Sequence, residues 1–201
     1  MTTLYITHDD FRLHEMGPGH PECPGRLVAI SDELEGSGLL ADLRTLQAPL
    51  AEAADLERVH DPRYVESIFR GAPAAGYRQL DPDTAMNPHS LDAARRAAGA
   101  GILAVDELLA GRARNAFCAV RPCGHHATPA RSMGFCIFNN VAVAAAHALG
   151  KGGLQRHGQA ARSCGTLVVG HGNTVGNDDE TAHGLFLSRG LGGRRDDQWI
   201  I

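Results

Sequence analysis

Two adjacent histidines, His125 and His126, lie in the segment RPCGHHATPARSMGFCIFNN of this 201-residue sequence. The ordinary pKa of histidine is the nearest of any side chain to neutral pH, so a pair can place a proton acceptor beside a proton donor. Gly124 before the pair and Gly134 after it allow the backbone to approach a ligand or to turn sharply. The segment therefore indicates acid–base chemistry, and the alternative is a loop that carries two solvated imidazoles.

The elements that position the pair can be predicted from apolar patterning. A compact apolar run over 116–120 predicts a buried strand, so the pair lies just beyond the carboxyl end of a strand, where binding sites collect in open α/β sheets. Ser90 is a candidate N-cap for a helix that runs to about Leu109. Asn139 or Asn140 is the candidate start of the helix that follows the pair.

The rest of the chain predicts helices that alternate with short strands. The expected elements are a strand over 4–7, a polar loop to about 25, helices over 26–35, 51–60 and 62–70, a loop over 80–88, and a strand over 166–169. This alternation predicts an α/β fold with an open, mostly parallel sheet flanked by helices. After Gly150 the sequence becomes glycine-rich and its periodicity fades.

Composition excludes several classes of protein. With 43% hydrophobic and 21% charged residues, the chain is typical of one globular domain or a large part of one. A net charge of -4 without a long basic stripe argues against direct binding of nucleic acid. No apolar stretch reaches membrane-spanning length and the N-terminus lacks signal-peptide features, so we expect no membrane association and a cytoplasmic location. No feature of the sequence indicates an oligomeric state.

The cysteines predict reduced thiols rather than a disulfide framework. They are odd in number, form no CxxC pair and lack a signal peptide before them. A structural zinc site is an alternative interpretation of four residues near the pair, although their spacing fits no familiar zinc module. These residues are Cys123, His125, His126 and Cys136.

Several motifs together carry a family resemblance. The chain resembles the zinc-dependent histone deacetylase family and its bacterial relatives, the acetylpolyamine amidohydrolases. Four stretches carry the match, in the family's order: GPGHPECPGRLVAI at 17–30, LDPDTAMNPHSLDAARRAAGA at 80–100, RPCGHHA at 121–127, and MGFCIFNNVAVAAAHAL at 133–149. The resemblance implies that residues 1–150 are the N-terminal part of a deacetylase catalytic domain with the arginase-deacetylase fold.

The resemblance also implies an activity. In that family a zinc ion binds the acetyl carbonyl and a water molecule, and two histidines flank that water. His125 and His126 would divide the roles of general base and general acid, without the sequence assigning either role to either residue. The substrates implied are acetylated lysine peptides or acetylated polyamines, and the reaction is hydrolysis of their amide bond.

Further site residues follow from the same resemblance. Phe135 matches an aromatic wall of the channel that takes the acylated side chain, and Gly134 is its close backbone neighbour. Asp83 falls where the family often places a rim carboxylate that holds the substrate backbone, and a turn residue is the alternative. His20 matches the entrance loop, in a structural role or in contact with substrate.

The motif for the family's metal ligands is altered in this sequence. That motif has the form DxHHGN, and the nearest match is LVVGHGNTV at 167–175. Aligning HGN places Val168 at the position of the ligand Asp and Gly170 at that of the ligand His, and neither side chain can bind a metal. The family's second ligand Asp and its oxyanion-stabilising Tyr have no counterpart here.

Three explanations remain open for this departure. Residues 151–201 could be a frame-disrupted or incomplete tail of the same domain, which would leave the chain inactive. They could instead be a diverged segment that builds another metal site from ligand-type side chains. The candidates for that site are His171, Asp178, Asp179 and His183. The third explanation is a binding module without a metal, which retains a channel for acyl-lysine and does not hydrolyse it.

Overall fold

The computed structural model describes residues 2–151, together with the backbone of three short strands at Val168–Val169, Leu185–Arg189 and Trp199–Ile200. Its central feature is a sheet in which β1 (Thr3–Thr7) lies between β2 (Leu43–Gln47) and β5 (Asn115–Cys118). Both pairings are parallel, and they align Tyr5 with Thr45 on one side and with Phe117 on the other. Consecutive parallel strands require crossover connections, which helices supply.

The three later strands extend the same sheet beyond β5. They are β6 (Val168–Val169), β7 (Leu185–Arg189) and β8 (Trp199–Ile200). The sheet order is β2-β1-β5-β7-β8-β6, with β7 antiparallel to β5. The prediction of an open, mostly parallel sheet with flanking helices is confirmed.

Within residues 2–151, six α-helices and one 3-10 turn connect or flank the strands. They are α1 (Asp10–Leu13), α2 (Gly25–Gly36), the 3-10 turn Leu39–Asp42, α3 (Ala53–Leu56), α4 (Pro62–Arg70), α5 (Ser90–Leu109) and α6 (Asn140–Gly150). The predicted helices over 26–35 and 62–70 and the predicted helix after Asn139 are confirmed. Asn139 is the N-cap of α6, because its side chain accepts a hydrogen bond from Ala142 N.

The core forms where the alanine-rich face of α5 meets the sheet. Leu4 and Ile6 of β1 and Ala116 of β5 are fully buried in one cluster with Ala97 and Ala104 of α5. Small side chains let a helix approach its neighbours closely, and Gly99 shows how closely. A Cβ at Gly99 would lie 2.0 Å from the carbonyl oxygen of Pro49. α5 also packs against α6, which follows the histidine pair.

Four sequence predictions of local structure were wrong or incomplete. The segment over 80–88 is not a simple loop, because β3 (Arg78–Asp81) and β4 (Thr84–Met86) form an antiparallel hairpin there. The polar segment after β1 contains α1. The helix predicted over 51–60 is only the single turn α3. Ser90 does not cap α5, because the N-cap is His89. The Ser90 hydroxyl instead accepts a hydrogen bond from Asn87 N and donates one to Asn87 Oδ1.

No helix among the described residues is both long and apolar enough to span a bilayer.

Candidate functional site

His125 and His126 lie in the connection between β5 and α6, beyond the carboxyl end of a parallel strand, as predicted. The connection is tied to α6 at its start. Gly124 packs against Asn140, where a Cβ would lie 2.5 Å from the backbone nitrogen. The Asn140 side chain donates a hydrogen bond to Pro122 O at 3.2 Å. A side chain at position 124 would therefore push the pair away from the helix.

The two imidazole rings are close neighbours. Their centroids are 4.1 Å apart and their planes are tilted by 52°. His125 is half-buried and His126 is exposed. Because one small group of a substrate could reach both rings, this spacing suits one proton acceptor and one proton donor that act on the same bond.

Gly134 and Phe135 form the tip of a tight turn beside the pair. Met133 and Cys136 exchange backbone hydrogen bonds of 3.1 and 3.0 Å across the turn. Both central residues have positive φ, 59° at Gly134 and 66° at Phe135. This combination defines a type I′ turn, which Gly adopts freely and Phe rarely does. The turn brings the Cα of Gly134 against the ring of His126.

The hairpin of β3 and β4 holds this turn by its backbone. Asp83 Oδ1 accepts a hydrogen bond from Gly134 N at 3.1 Å, and Thr84 Oγ1 accepts one from Phe135 N at 3.0 Å. Partial desolvation would raise the pKa of Asp83, but hydrogen bonds from the Thr84 hydroxyl and from Gly134 N hold that pKa below its ordinary value. Asp83 is exposed and remains a carboxylate at neutral pH.

The ring of His20 packs against the ring of Phe135. The two ring centroids are 4.7 Å apart in an edge-to-face arrangement. His20 Nδ1 accepts a hydrogen bond from Glu22 N, and Nε2 lies 3.2 Å from Asp83 O. The loop that carries His20, the hairpin and the turn therefore meet at Phe135.

Another histidine, His60, supports the segment between the histidine pair and α6. His60, which is buried, accepts a hydrogen bond at Nε2 from Asn139 N at 2.9 Å and lies 3.0 Å from Thr128 O through Nδ1. Burial lowers the pKa of His60, although nearby backbone carbonyls oppose this. The neutral imidazole thus joins two ends of the segment between the pair and α6. Tyr64 adds a third tie, since its hydroxyl donates to Ile137 O at 2.6 Å.

A buried ion pair anchors the connection where it leaves β5. Arg121 is fully buried and makes two hydrogen bonds to the Glu22 carboxylate, at 2.6 and 2.7 Å. Its remaining nitrogen donates to Phe11 O and His14 O. Burial alone would raise the pKa of Glu22, but the hydrogen bonds from Arg121 hold it below its ordinary value. Because Glu22 follows His20 closely, this ion pair links the loop that carries His20 to the connection that carries His125 and His126.

His14 lies beside this ion pair, fully buried, with Nδ1 2.7 Å from the hydroxyl of Ser90. Burial lowers the pKa of His14 to about 4, and the neighbouring Glu22 carboxylate only partly opposes the effect. His14 is therefore a neutral structural residue at physiological pH.

The structure thus brings together six of the predicted site residues: His125, His126, Gly134, Phe135, Asp83 and His20. It also shows supporting residues that the sequence analysis missed, namely Thr84, His60, Tyr64, Arg121 and Glu22. Their partners are backbone groups or side chains far away in the sequence, so spacing alone does not reveal them. The motif DPRY after His60 does signal a helix start, with Asp61 as N-cap and Pro62 at the first turn.

Within the described part of the chain, no three His, Cys, Asp or Glu side chains are grouped so that they could hold a metal ion. The structural zinc site considered for Cys123, His125, His126 and Cys136 is therefore not formed. The four cysteines in this part of the chain are free thiols. The other candidate ligands, His171, Asp178, Asp179 and His183, lie outside the described residues.

Comparison with known proteins identifies the family. Residues 20–157 match the model of the histone deacetylase domain. The chain is 39% identical over 166 residues to the polyamine deacetylase HDAC10 of Homo sapiens, a match that covers 78% of this chain and 25% of that protein. It is 42% identical over 138 residues to a histone deacetylase-like amidohydrolase of Pseudomonas aeruginosa, covering 69% of this chain and 36% of the relative.

A solved structure shows the same similarity. The crystal structure of the HD domain of HDA15 superposes with a TM-score of 0.71 at 34% sequence identity, over 75% of this chain and 44% of that one. The chain spans only about a quarter to a third of the length of the two relatives above. The matched region contains the histidine pair, the turn at Phe135 and the hairpin.

Proposed function

Since this chain belongs to the histone deacetylase domain family, we propose that it carries the acid–base pair and the channel wall of an amide hydrolase that removes acetyl groups from amines. The observation that carries this proposal is the placement of the two imidazoles, 4.1 Å apart, directly against the turn that presents Phe135. Acid–base groups and an apolar wall within one small volume suit a reaction at the end of a long side chain.

The described residues account for two parts of this reaction. One imidazole takes a proton from the attacking water, and the other gives a proton to the amine that leaves, so that amide and water become carboxylate and amine. Proton transfer of this kind contributes about 100-fold to 10,000-fold to a rate. Phe135 and His20 form an aromatic edge that can pack against the alkyl stem of the substrate.

The substrates we propose are acetylated lysine peptides or acetylated polyamines. Both present an acetamide on an unbranched alkyl stem, which is the shape that an aromatic channel wall accepts. Relatives described as a polyamine deacetylase and as a histone deacetylase-like amidohydrolase support this class. We propose that the exposed carboxylate of Asp83, which accepts a hydrogen bond from Gly134 N, also accepts one from a donor on the substrate outside the channel.

Zinc is the cofactor that the family implies, but the described residues do not fit it, because they include no group of ligand side chains. We therefore assign no step of the reaction to a metal. If this chain binds zinc, its ligands must come from outside the described residues, where His171, Asp178, Asp179 and His183 are the candidates.

The test uses the full 201-residue chain. Zinc content is measured by elemental analysis, and acetate release is measured from an acetyl-lysine peptide and from an acetylated polyamine. We expect about one equivalent of zinc and turnover that falls by a factor of about 100 or more in His125→Ala and His126→Ala. His89→Ala, at an exposed histidine whose side chain makes no capping hydrogen bond to α5, is the matched control. Folded protein with neither zinc nor turnover would refute the proposal.

A binding module without hydrolysis is the second candidate. One observation favours it: the described residues include the proposed channel wall at Phe135 and no group of side chains that could hold a metal. Such a protein would bind an acetyl-lysine peptide without releasing acetate, and Phe135→Ala would weaken that binding. An inactive fragment would show neither binding nor turnover and would aggregate through unpaired sheet edges.

A further inference from the structure

We propose that Thr84 is a positioning residue that sets the channel wall by holding Phe135 in its left-handed conformation. The proposal rests on the proposed function for its kinetic consequences and on the described contacts for its structural ones. Thr84 contacts the turn through the N–H of Phe135. Its effect would pass through the Phe135 backbone.

The need for such a residue arises from the turn itself. Phe135 has a φ of 66°, a conformation that a bulky side chain adopts only where its surroundings enforce it. In the Met133–Cys136 turn the cross-turn hydrogen bonds use the backbone of Met133 and Cys136. The N–H groups of the two central residues, Gly134 and Phe135, must therefore find partners elsewhere.

The hairpin supplies both partners through one hydroxyl and one carboxylate. Thr84 Oγ1 accepts from Phe135 N at 3.0 Å and donates to Asp83 Oδ1 at 2.9 Å. The same Asp83 oxygen accepts from Gly134 N at 3.1 Å. The Thr84 hydroxyl thus completes a continuous chain of hydrogen bonds between the hairpin and the turn. Thr84 is fully buried, so water cannot readily replace it.

The consequence for the wall is specific. With its N–H released, Phe135 is free to leave positive φ, and its ring then moves from the edge-to-face contact with His20. A displaced wall weakens binding of the alkyl stem, whereas a simple loss of folded protein lowers the number of active molecules. The first raises KM, and the second lowers apparent kcat at unchanged KM.

The variants are Thr84→Val, which removes the hydroxyl at nearly constant shape, and Thr84→Ser, which retains it. For an acetyl-lysine peptide we expect KM to rise by about tenfold in Thr84→Val and to stay within about twofold of wild type in Thr84→Ser. Thr7→Val is the matched control, because it removes a threonine hydroxyl that donates to Ala119 O instead. An unchanged KM in folded Thr84→Val would overturn the proposal.

Hydrogen exchange provides a test that needs no turnover. In the wild-type chain the Phe135 amide should exchange about 100-fold more slowly than in an unstructured peptide, and Thr84→Ser should retain that protection. An unprotected Phe135 amide in the wild-type chain overturns the proposal even if Thr84→Val fails to fold. If the chain releases no acetate, the proposed function fails, while the exchange data still decide whether Thr84 holds the turn.

Discussion

The Cα of Gly134 lies against the imidazole of His126, so closely that a Cβ there would be 2.8 Å from both Cγ and Cδ2 of the ring. The glycine therefore has two functions at one position. It adopts a φ of 59° without strain, and it leaves the space that the His126 ring occupies. The turn that carries the proposed channel wall is consequently in direct contact with the proposed acid–base pair.

Gly134→Ala should abolish most activity by displacing His126. A shift of about 1 Å in a reacting group can cost about 100-fold in rate, and we expect a loss of that order in kcat/KM. Left-handed backbone at a non-glycine residue should also cost about 1–2 kcal/mol in the free energy of unfolding. Steady-state kinetics and urea unfolding measure the two effects separately.

Gly111 provides the control for the backbone effect. Its φ is 69°, and a Cβ there would have no neighbour within 4 Å. Gly111→Ala should therefore lose a similar amount of stability and keep full activity. If both variants retain activity, the contact between Gly134 and His126 has no functional importance.

The sequence predicted the elements that are set by local patterning. The helix after the pair is an example, because Asn139 and the apolar residues that follow it are neighbours in the sequence. The motif resemblance also predicted that His125, His126 and Phe135 belong to one site. These residues are separated by ten positions or fewer, so their proximity depends on one connection.

The contacts that support the site could not be predicted in the same way. Thr84 meets Phe135 across 51 residues, and His60 meets Asn139 across 79. Each partner is a backbone N–H, which carries no sequence signal. The hairpin of β3 and β4 was missed for a related reason. Its strands are only three or four residues long, and the Pro82–Asp83 turn between them is also typical of a loop.

Removing the buried cation Arg121 should destabilise the protein strongly. Arg121→Met leaves the Glu22 carboxylate buried without its bidentate partner, and breaking such a pair costs about 3–5 kcal/mol. The exposed pair of Arg70 and Glu66, at 2.7 Å, is the control, since Arg70→Met should cost less than about 1 kcal/mol. Urea unfolding at pH 7 measures both. Equal effects of the two substitutions would show that the Glu22 pair is not a structural anchor.

Replacing His60 should loosen the segment between the pair and α6. His60→Leu keeps much of the side-chain volume but leaves Asn139 N and Thr128 O without their partner, which should cost about 2–4 kcal/mol in the free energy of unfolding. Tyr64→Phe removes the hydroxyl that donates to Ile137 O and is hydrogen-bonded to the Ser132 side chain, and it should cost about 1 kcal/mol. Denaturant unfolding gives both values. If His60→Leu costs no more than Tyr64→Phe, the two hydrogen bonds of His60 to Asn139 N and Thr128 O do not both stabilise this segment.

His14 should make the protein lose stability as the pH falls. Because burial lowers the folded pKa of His14 to about 4 from an ordinary 6.5, the unfolded chain binds a proton between these values that the folded chain excludes. The free energy of unfolding is therefore unaffected by His14 above pH 6.5 and decreases as the pH drops from 6.5 to 4. From pH 7 to pH 5 the decrease should be about 2 kcal/mol.

Urea unfolding of wild type and His14→Gln at both pH values isolates the contribution of His14, because the variant should lose correspondingly less stability. His89→Gln, at an exposed histidine, should follow wild type. If His14→Gln and wild type lose stability in parallel, His14 is protonated in the folded protein and its burial does not control acid sensitivity.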